Sequence, residues 1–249
     1  MRATLRVFFW ILLLLSLSKS FCKYVCVNEE KTWDESLSYC RQNYTDLALV
    51  SNKQDNDKLM ELFPSVNDGV WFGLERNLSD KDKWLWSGGG ALTWIFWNTG
   101  QPHNQNNENS GFINKNGRWH DAYPGKTRPF FCYRAIVVKQ EKTWEEALEY
   151  CREHHEDLAS VASETEMLLI QKELSKHNTK EVVWIGLRFL FEDWLWVDRQ
   201  MMDYEAWSQR GKPLCPSTKI KYGALQVKRG TKGVWEAHNC EEKLHFICY

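Results

Sequence analysis

The residues with most chemistry to offer sit in a stretch that has little else to do. From Gly100 to Asp121 the chain reads GQPHNQNNENSGFINKNGRWHD. Gln101, Asn104, Glu108, Asn109 and Asp121 present side-chain oxygens, and His103 and His120 present imidazole nitrogens. A hard cation such as calcium takes six to eight oxygen ligands, so this set is a candidate cation cradle. An irregular segment of some twenty residues inside a compact domain is otherwise a solvated surface loop.

Whatever this segment does, something must hold it, and the surrounding sequence supplies that frame twice. At an offset of 111, Glu30-Lys31-Thr32-Trp33 falls on Glu141-Lys142-Thr143-Trp144, Tyr39-Cys40-Arg41 on Tyr150-Cys151-Arg152, and Asp46-Leu47-Ala48 on Asp157-Leu158-Ala159. Farther along, Trp71-Phe-Gly-Leu74 corresponds to Trp184-Ile-Gly-Leu187, Trp84-Leu-Trp86 to Trp194-Leu-Trp196, and Phe131-Cys132-Tyr133 to Ile247-Cys248-Tyr249. A period of this length means two whole domains rather than solenoid repeats. We set them at residues 21–134 and 135–249. The 249 residues, 43% of them hydrophobic, are enough for two buried cores.

Each copy carries the same order of elements. Thr32 with Glu35, and Thr143 with Glu146, form capping boxes, and Trp33, Leu37 and Cys40, like Trp144, Leu148 and Cys151, follow at helical spacing. A second helix is expected to start at Ser51 with Gln54, and at Ser163 with Glu166. Its apolar face would carry Leu59, Met60 and Leu62 in one copy and Leu168, Leu169 and Leu174 in the other. Short Trp-rich strands, the long polar segment and closing strands come next, so the fold class is α+β with small antiparallel sheets.

Residues 1–20 read as a secretory signal: Arg2 and Arg6 precede the apolar run Val7 to Leu17, and Ser18-Lys19-Ser20 supplies small residues for cleavage. That run is too short to span a bilayer, and no later one is long enough, so the expectation is a secreted, extracellular chain without a membrane span. Eight cysteines then read as a disulfide framework: Cys22, Cys26, Cys40, Cys132, Cys151, Cys215, Cys240 and Cys248. Asn43-Tyr-Thr and Asn77-Leu-Ser are glycosylation acceptors. The net charge of -1 argues against nucleic acid as a partner.

The helix-borne Cys with a terminal Phe-x-Cys, the Trp-x-Gly-Leu motif, the Trp-Leu-Trp strand and the late Trp-x-Asp together resemble the C-type lectin-like domains, in tandem over essentially the whole mature chain. The resemblance implies a double-looped fold with Cys40 bonded to Cys132 and Cys151 to Cys248. In sugar-binding members a Glu-Pro-Asn or Gln-Pro-Asp tripeptide, a downstream Glu and Trp-Asn-Asp surround one calcium ion, whose coordination two sugar hydroxyls complete. The corresponding residues here are Gln101-Pro102-His103, Glu108 and Trp119-His120-Asp121. Pro102, with Trp119, supports the loop, and the family implies a cis bond before it.

Gln101, Glu108 and Asp121 keep the family's pattern, and His103 and His120 break it. An Asn amide offers oxygen and N–H from one end, whereas the two imidazole nitrogens diverge, and imidazole suits zinc better than calcium. Three readings stand: a weakened calcium site that still binds sugar, a loop without metal, and a site retuned to Zn2+ through His103, His120, Glu108 and Asp121. The family's inner disulfide is absent from this copy, with Ser110 and Pro124 in its place, and a looser loop is expected.

The second copy departs further. Gly211-Lys212-Pro213-Leu214 replaces the tripeptide and Trp235-Glu236-Ala237 the Trp-Asn-Asp, so no metal is expected there. From Trp207 to Trp235 there is no acid, but there are Arg210, Lys212, Lys219, Lys221, Lys228, Arg229 and Lys232. Such a segment is a candidate for acidic or sulfated ligands. The family implies an inner bridge between Cys215 and Cys240, although Tyr222 occupies the first cysteine's usual place. Cys22 and Cys26 are left to pair locally or with another chain.

No enzyme is expected. Gly125-Lys126-Thr127 lacks the first glycine of a phosphate loop, His154-His155-Glu156 lacks the spacing of a zinc protease, and no Gly-x-Ser-x-Gly elbow occurs. The tryptophans that recur in both copies read as core, and Trp97 and Trp207, just before the variable loops, as contact candidates. The sequence thus points to recognition of glycans or glycoproteins by the first copy. The alternative is a metal-independent module for proteins or anionic glycans.

Overall fold

A computed structural model describes residues 22–65, 69–105, 107–177, 182–214, 216–217, 219–227 and 232–249. The signal-like residues 1–20, Cys215, Lys228 and Arg229 lie outside them, so the signal and the Cys215–Cys240 bridge are not described.

The first copy runs β1 (Tyr24–Lys31), α1 (Trp33–Asn43), β2 (Asp46–Leu47), α2 (Lys53–Glu61), β3 (Val70–Arg76), β4 (Trp84–Trp86), β5 (Ser110–Ile113), β6 (Trp119–Ala122) and β7 (Arg128–Tyr133). The second runs β8 (Ile136–Lys142), α3 (Trp144–His154), α4 (Glu164–Lys176), β9 (Val182–Leu190), β10 (Asp193–Trp196), β11 (Ile220–Gln226), β12 (Val234–Asn239) and β13 (Leu244–Cys248). One sheet has the order β1-β7-β3-β5-β6 and the other β12-β11-β9-β13-β8, so no sheet bond joins the copies among the described residues. Two helices lead into mixed, mainly antiparallel strands in each copy, which is the α+β class.

Local rules set the helix starts. Thr32 and Thr143 each accept a hydrogen bond from the N3 backbone and receive the N3 glutamate on their own N–H. The second helices differ from expectation by one residue in the first copy: the cap is Asn52, bonded to the Asp55 N–H at 2.9 Å, not Ser51. Asp55 folds back to accept from the Ser51 N–H at 3.0 Å, as Glu166 does from Ala162 at 2.7 Å. Ser163 caps α4 as expected. Leu168 is 36% exposed and leaves the apolar face of α4 to Met167, Leu169, Ile170 and Leu174, while Leu62 ends α2 as its C-cap.

Equivalent tryptophans make equivalent bonds. The indole N–H of Trp33 donates to the Phe72 carbonyl and that of Trp144 to Ile185; Trp71 donates to Lys31 and Trp184 to Lys142. Cys40–Cys132 and Cys151–Cys248 are formed, with Cα atoms 5.4 and 5.5 Å apart. Cys26 forms no disulfide with a described cysteine, and burial pushes its thiol up to about 11.

The copies are not beads on a string. One contiguous buried cluster includes Leu59, Phe131 and Tyr133 of the first and Met167, Leu169 and Tyr249 of the second. At its centre the Lys23 ammonium, fully buried, lies 2.8 Å from Asp55 and 2.6 Å from Glu166, which occupy equivalent N3 positions of α2 and α4. Burial alone pulls the Lys23 ammonium down, but the two carboxylates more than offset this and hold it well above the ordinary lysine value. Around it the Tyr133 and Tyr249 hydroxyls meet at 3.5 Å, and Glu156 receives the Lys23 backbone N–H at 2.7 Å and the Lys58 ammonium at 3.0 Å.

Candidate functional site

The candidate loop is rooted by backbone pairing to β6. The Asn98 N–H donates to the Trp119 carbonyl at 2.9 Å, the Trp119 N–H to Phe96 at 3.0 Å, and the Gln101 N–H back to Asn98 at 2.9 Å. Trp119 is buried, gives its indole N–H to the Asn56 side chain at 3.0 Å, and lies edge-on to Trp86, Trp94 and Trp97. Trp97 belongs to this brace, as Trp207 does with Trp194 and Trp235, and both expected contact residues are partly exposed as well as packed.

The Asn-rich composition has a backbone cause. Gly100, Asn104 and Asn107 have φ of 78°, 57° and 61°, in the left-handed region where glycine and asparagine cost least. The Gln101–Pro102 peptide is cis, as the family pattern implies.

Beyond that bond the loop turns back onto Asp121. The Asp121 carboxylate, whose side chain is fully buried, accepts the backbone N–H of His103 at 3.0 Å and of Asn104 at 2.6 Å. The Gln101 side-chain Oε1 accepts the Asp121 N–H at 3.2 Å, and its Nε2 lies 3.0 and 3.2 Å from the two ring nitrogens of His103. Arg76 braces the outer side, donating to the Asn104 carbonyl at 3.2 Å and, through its backbone, to Asn109 at 2.8 Å.

The fold brings His103, Glu108 and Asp121 together: one ligand atom of each lies within 4.8 Å of the others. His120 stands apart. In β6 successive side chains alternate, so Trp119 and Asp121 share one face and His120 takes the other. There it stacks on its cross-strand partner Phe112, centroids 5.0 Å apart, and its Nε2 lies 3.0 Å from the Asn114 amide. Burial lowers its pKa. The four residues of the zinc reading, one of the three left open by the sequence, are therefore reduced to three, because residues adjacent in a strand do not face the same way.

The family's calcium ion can be tested against these donors. Calcium takes six to eight oxygens at roughly 2.3 to 2.6 Å. Here one of the three converging groups is a nitrogen donor, and His120, standing where the family has an oxygen-bearing asparagine, faces away. The residues do not fit calcium in the manner of the family.

In the second copy the loop root is the same: the Ser208 N–H donates to Trp235, Trp235 to Ala206, and Gly211 to Ser208. The tip is different. Lys212 pairs with Glu205 at 2.9 Å and lies 3.5 Å from Asp193, Lys219 pairs with Glu241 at 3.2 Å, and Lys232 with Glu164 at 2.7 Å. The expected basic face is thus partly neutralised by acids from outside the segment. Arg210 and Lys221 form no ion pair with a described residue, and Lys221 lies 5.1 Å over the Tyr222 ring. Tyr222, in the first cysteine's usual place, stacks on Trp144 at 4.2 Å and gives its hydroxyl to Glu145.

Among the expected acceptors, Asn43 is exposed at the end of α1 while the Thr45 hydroxyl is buried against Ala135, and Asn77 accepts the N–H groups of Ser79 and Asp80 in a tight turn. No helix among the described residues is long and apolar enough to cross a membrane.

Comparison with known proteins gives the same frame. Secretory phospholipase A2 receptor of Oryctolagus cuniculus is 22% identical over 265 residues, which is 90% of this chain and 17% of the receptor. C-type mannose receptor 2 of Rattus norvegicus is 25% identical over 259 residues, 87% of this chain and 17% of that protein. A snaclec of Daboia palaestinae is 33% identical over 122 residues, 47% of this chain and 86% of that protein. The chain therefore spans about a sixth of the length of the two receptors (17%). The model of the lectin C-type domain matches residues 29–134 and again 140–249. With two such domains over most of its length, the chain belongs to the C-type lectin domain family.

Proposed function

We propose that this is a secreted, glycosylated recognition protein, modified at Asn43 and Asn77, which works by binding rather than catalysis. Its first domain (21–134) engages glycans or glycoproteins through the loop that carries Gln101, His103 and Glu108 and through Asp121, with calcium dependence weakened relative to the family. The second domain (135–249) contributes fixed geometry and, through Arg210 and Lys221, a small basic surface for a protein or anionic glycan.

The observation that carries this reading is the convergence of His103 and Glu108 of the loop and Asp121 of β6 onto one partly exposed spot. An imidazole, an amide and two carboxylates give donors and acceptors for a polyhydroxylated ligand, and the buried Asp121 holds the backbone at His103 and Asn104. The resemblance to a protein named a mannose receptor supports sugar as the ligand class.

Single sites of this kind bind at around millimolar, or about 4 kcal/mol, so the test needs multivalent display. A glycan array probed with clustered protein, with and without chelator, checks it. Signal that drops in Gln101→Ala and Glu108→Ala and persists in part after calcium removal is the expected result. Absence of any glycan signal from clustered wild type overturns it.

A further inference from the structure

We propose that His103, Glu108 and Asp121 form a site for zinc or a similar borderline divalent metal, with one coordination position left open to a ligand hydroxyl or carboxylate. The role of the open position rests on the loop being the ligand-binding face; the metal site rests on the geometry alone.

Three protein donors with mixed nitrogen and oxygen chemistry are what zinc uses when it keeps an open position, whereas calcium needs about twice as many ligands, all oxygen. The donor atoms lie within 4.8 Å of one another, and the residues come from the turn after the cis peptide, the end of the loop, and β6. Small side-chain rotations about the exposed His103 and half-exposed Glu108 bring such atoms onto one ion, while buried Asp121 stays fixed.

Asp121 is oriented in advance. Its two backbone hydrogen bonds, from His103 and Asn104, are the kind of outer support that metal-binding carboxylates have, and each oxygen keeps a second lone pair. They also tether His103 itself, so the residue that departs from the family's pattern is held beside the carboxylate it would share a metal with. Metal binding displaces one existing contact, the Gln101 amide on the His103 ring.

The second domain provides an internal contrast. Leu214 and Ala237 stand where His103 and Asp121 stand in the first, so those two donors have no counterparts there.

The test is a calorimetric titration of the full chain, stripped by chelator, with zinc chloride and separately with calcium chloride, and no glycan present. The expected result is one zinc per chain, binding at least tenfold weaker in His103→Ala and in Glu108→Gln, and unchanged in His154→Ala, which controls for surface histidines. His103→Asn, restoring the family's residue type, should weaken zinc at least tenfold and strengthen calcium. Unfolding midpoints of each variant confirm that the fold is kept. Zinc binding that is indifferent to His103→Ala, or wild-type preference for calcium, overturns the site. A stoichiometric zinc site with a blank glycan array would instead overturn the ligand reading and leave the metal site standing.

Discussion

The two domains root their polar loops identically and end them in opposite ways. Trp97 and Trp207 make matching parallel bridges to Trp119 and Trp235, and Gly100 and Gly211 turn with φ of 78° and 76°. Past that point, the first loop folds onto a buried carboxylate, Asp121, whereas the second has Ala237 there and secures Lys212 to Glu205. Packing and backbone pairing thus hold the frame the same in both copies. The loop tip is set by one or two side chains that tie it down, and those are free to change chemistry. A second contrast lies beneath: Asn56 holds the Trp119 indole at 3.0 Å, while Met167 stands in the equivalent place and the Trp235 indole N–H has no partner among the described residues.

The largest disturbance to this pairing of alike and unlike comes from removing the element that is not duplicated. Lys23→Met leaves Asp55 and Glu166 buried without their cation and should cost about 3–5 kcal/mol in urea unfolding, lowering both domains together. Burial already pushes the Glu166 carboxyl up against the pull of Lys23, so in the native state it holds a proton more tightly than in the unfolded chain. A raised carboxyl contributes stability fully below its unfolded value and loses it as pH rises through the folded one. The Lys23→Met penalty should therefore shrink on acidification from pH 8 toward about pH 5. A penalty that grows on acidification would refute the charge argument.

Next in size is the latch. Asp121→Ala removes two charge-assisted hydrogen bonds and should cost about 2–3 kcal/mol, with limited proteolysis accelerating within 100–109. Ala237→Asp, the reciprocal change, should not stabilise the second domain, because Lys212 has already taken that loop elsewhere.

The smallest expected effect tests the shared frame itself. Thr32→Ala and Thr143→Ala each remove half of a capping box and should cost about 1 kcal/mol, equal within error in thermal unfolding. Unequal costs would show that the domains are less alike at their helix starts than their hydrogen bonds indicate.

Much of the fold is legible in the sequence because it follows short-range rules. The capping threonines, the helical spacing of Trp33, Leu37 and Cys40, and the recurrence of whole motifs locate the helices, and family resemblance supplies both disulfides. The start of α2 shifts from its expected place because Ser51 and Asn52 are both good caps, and only the Asn52 bond to Asp55 separates them. Leu168 leaves the expected apolar face because Met167 completes the buried stripe in its stead.

The candidate site is half legible. Residue types name Gln101, His103, Glu108 and Asp121, but residue type alone does not separate His120 from them. That separation comes from strand alternation combined with Phe112 lying opposite, which is a pairing across the sheet. The basic run of the second domain misleads for the same kind of reason: Glu164, Glu205 and Glu241, its neutralising partners, are distant in sequence or outside the run.

The duplicated frame follows from the order of amino acids alone, since caps, helical periodicity and tryptophan motifs act over a few residues and appear twice. Which donors meet at the loop, and that the two domains share a core around Lys23, emerge only once the chain has folded. Both depend on side chains brought together across long separations, where burial removes water and makes each pairing count.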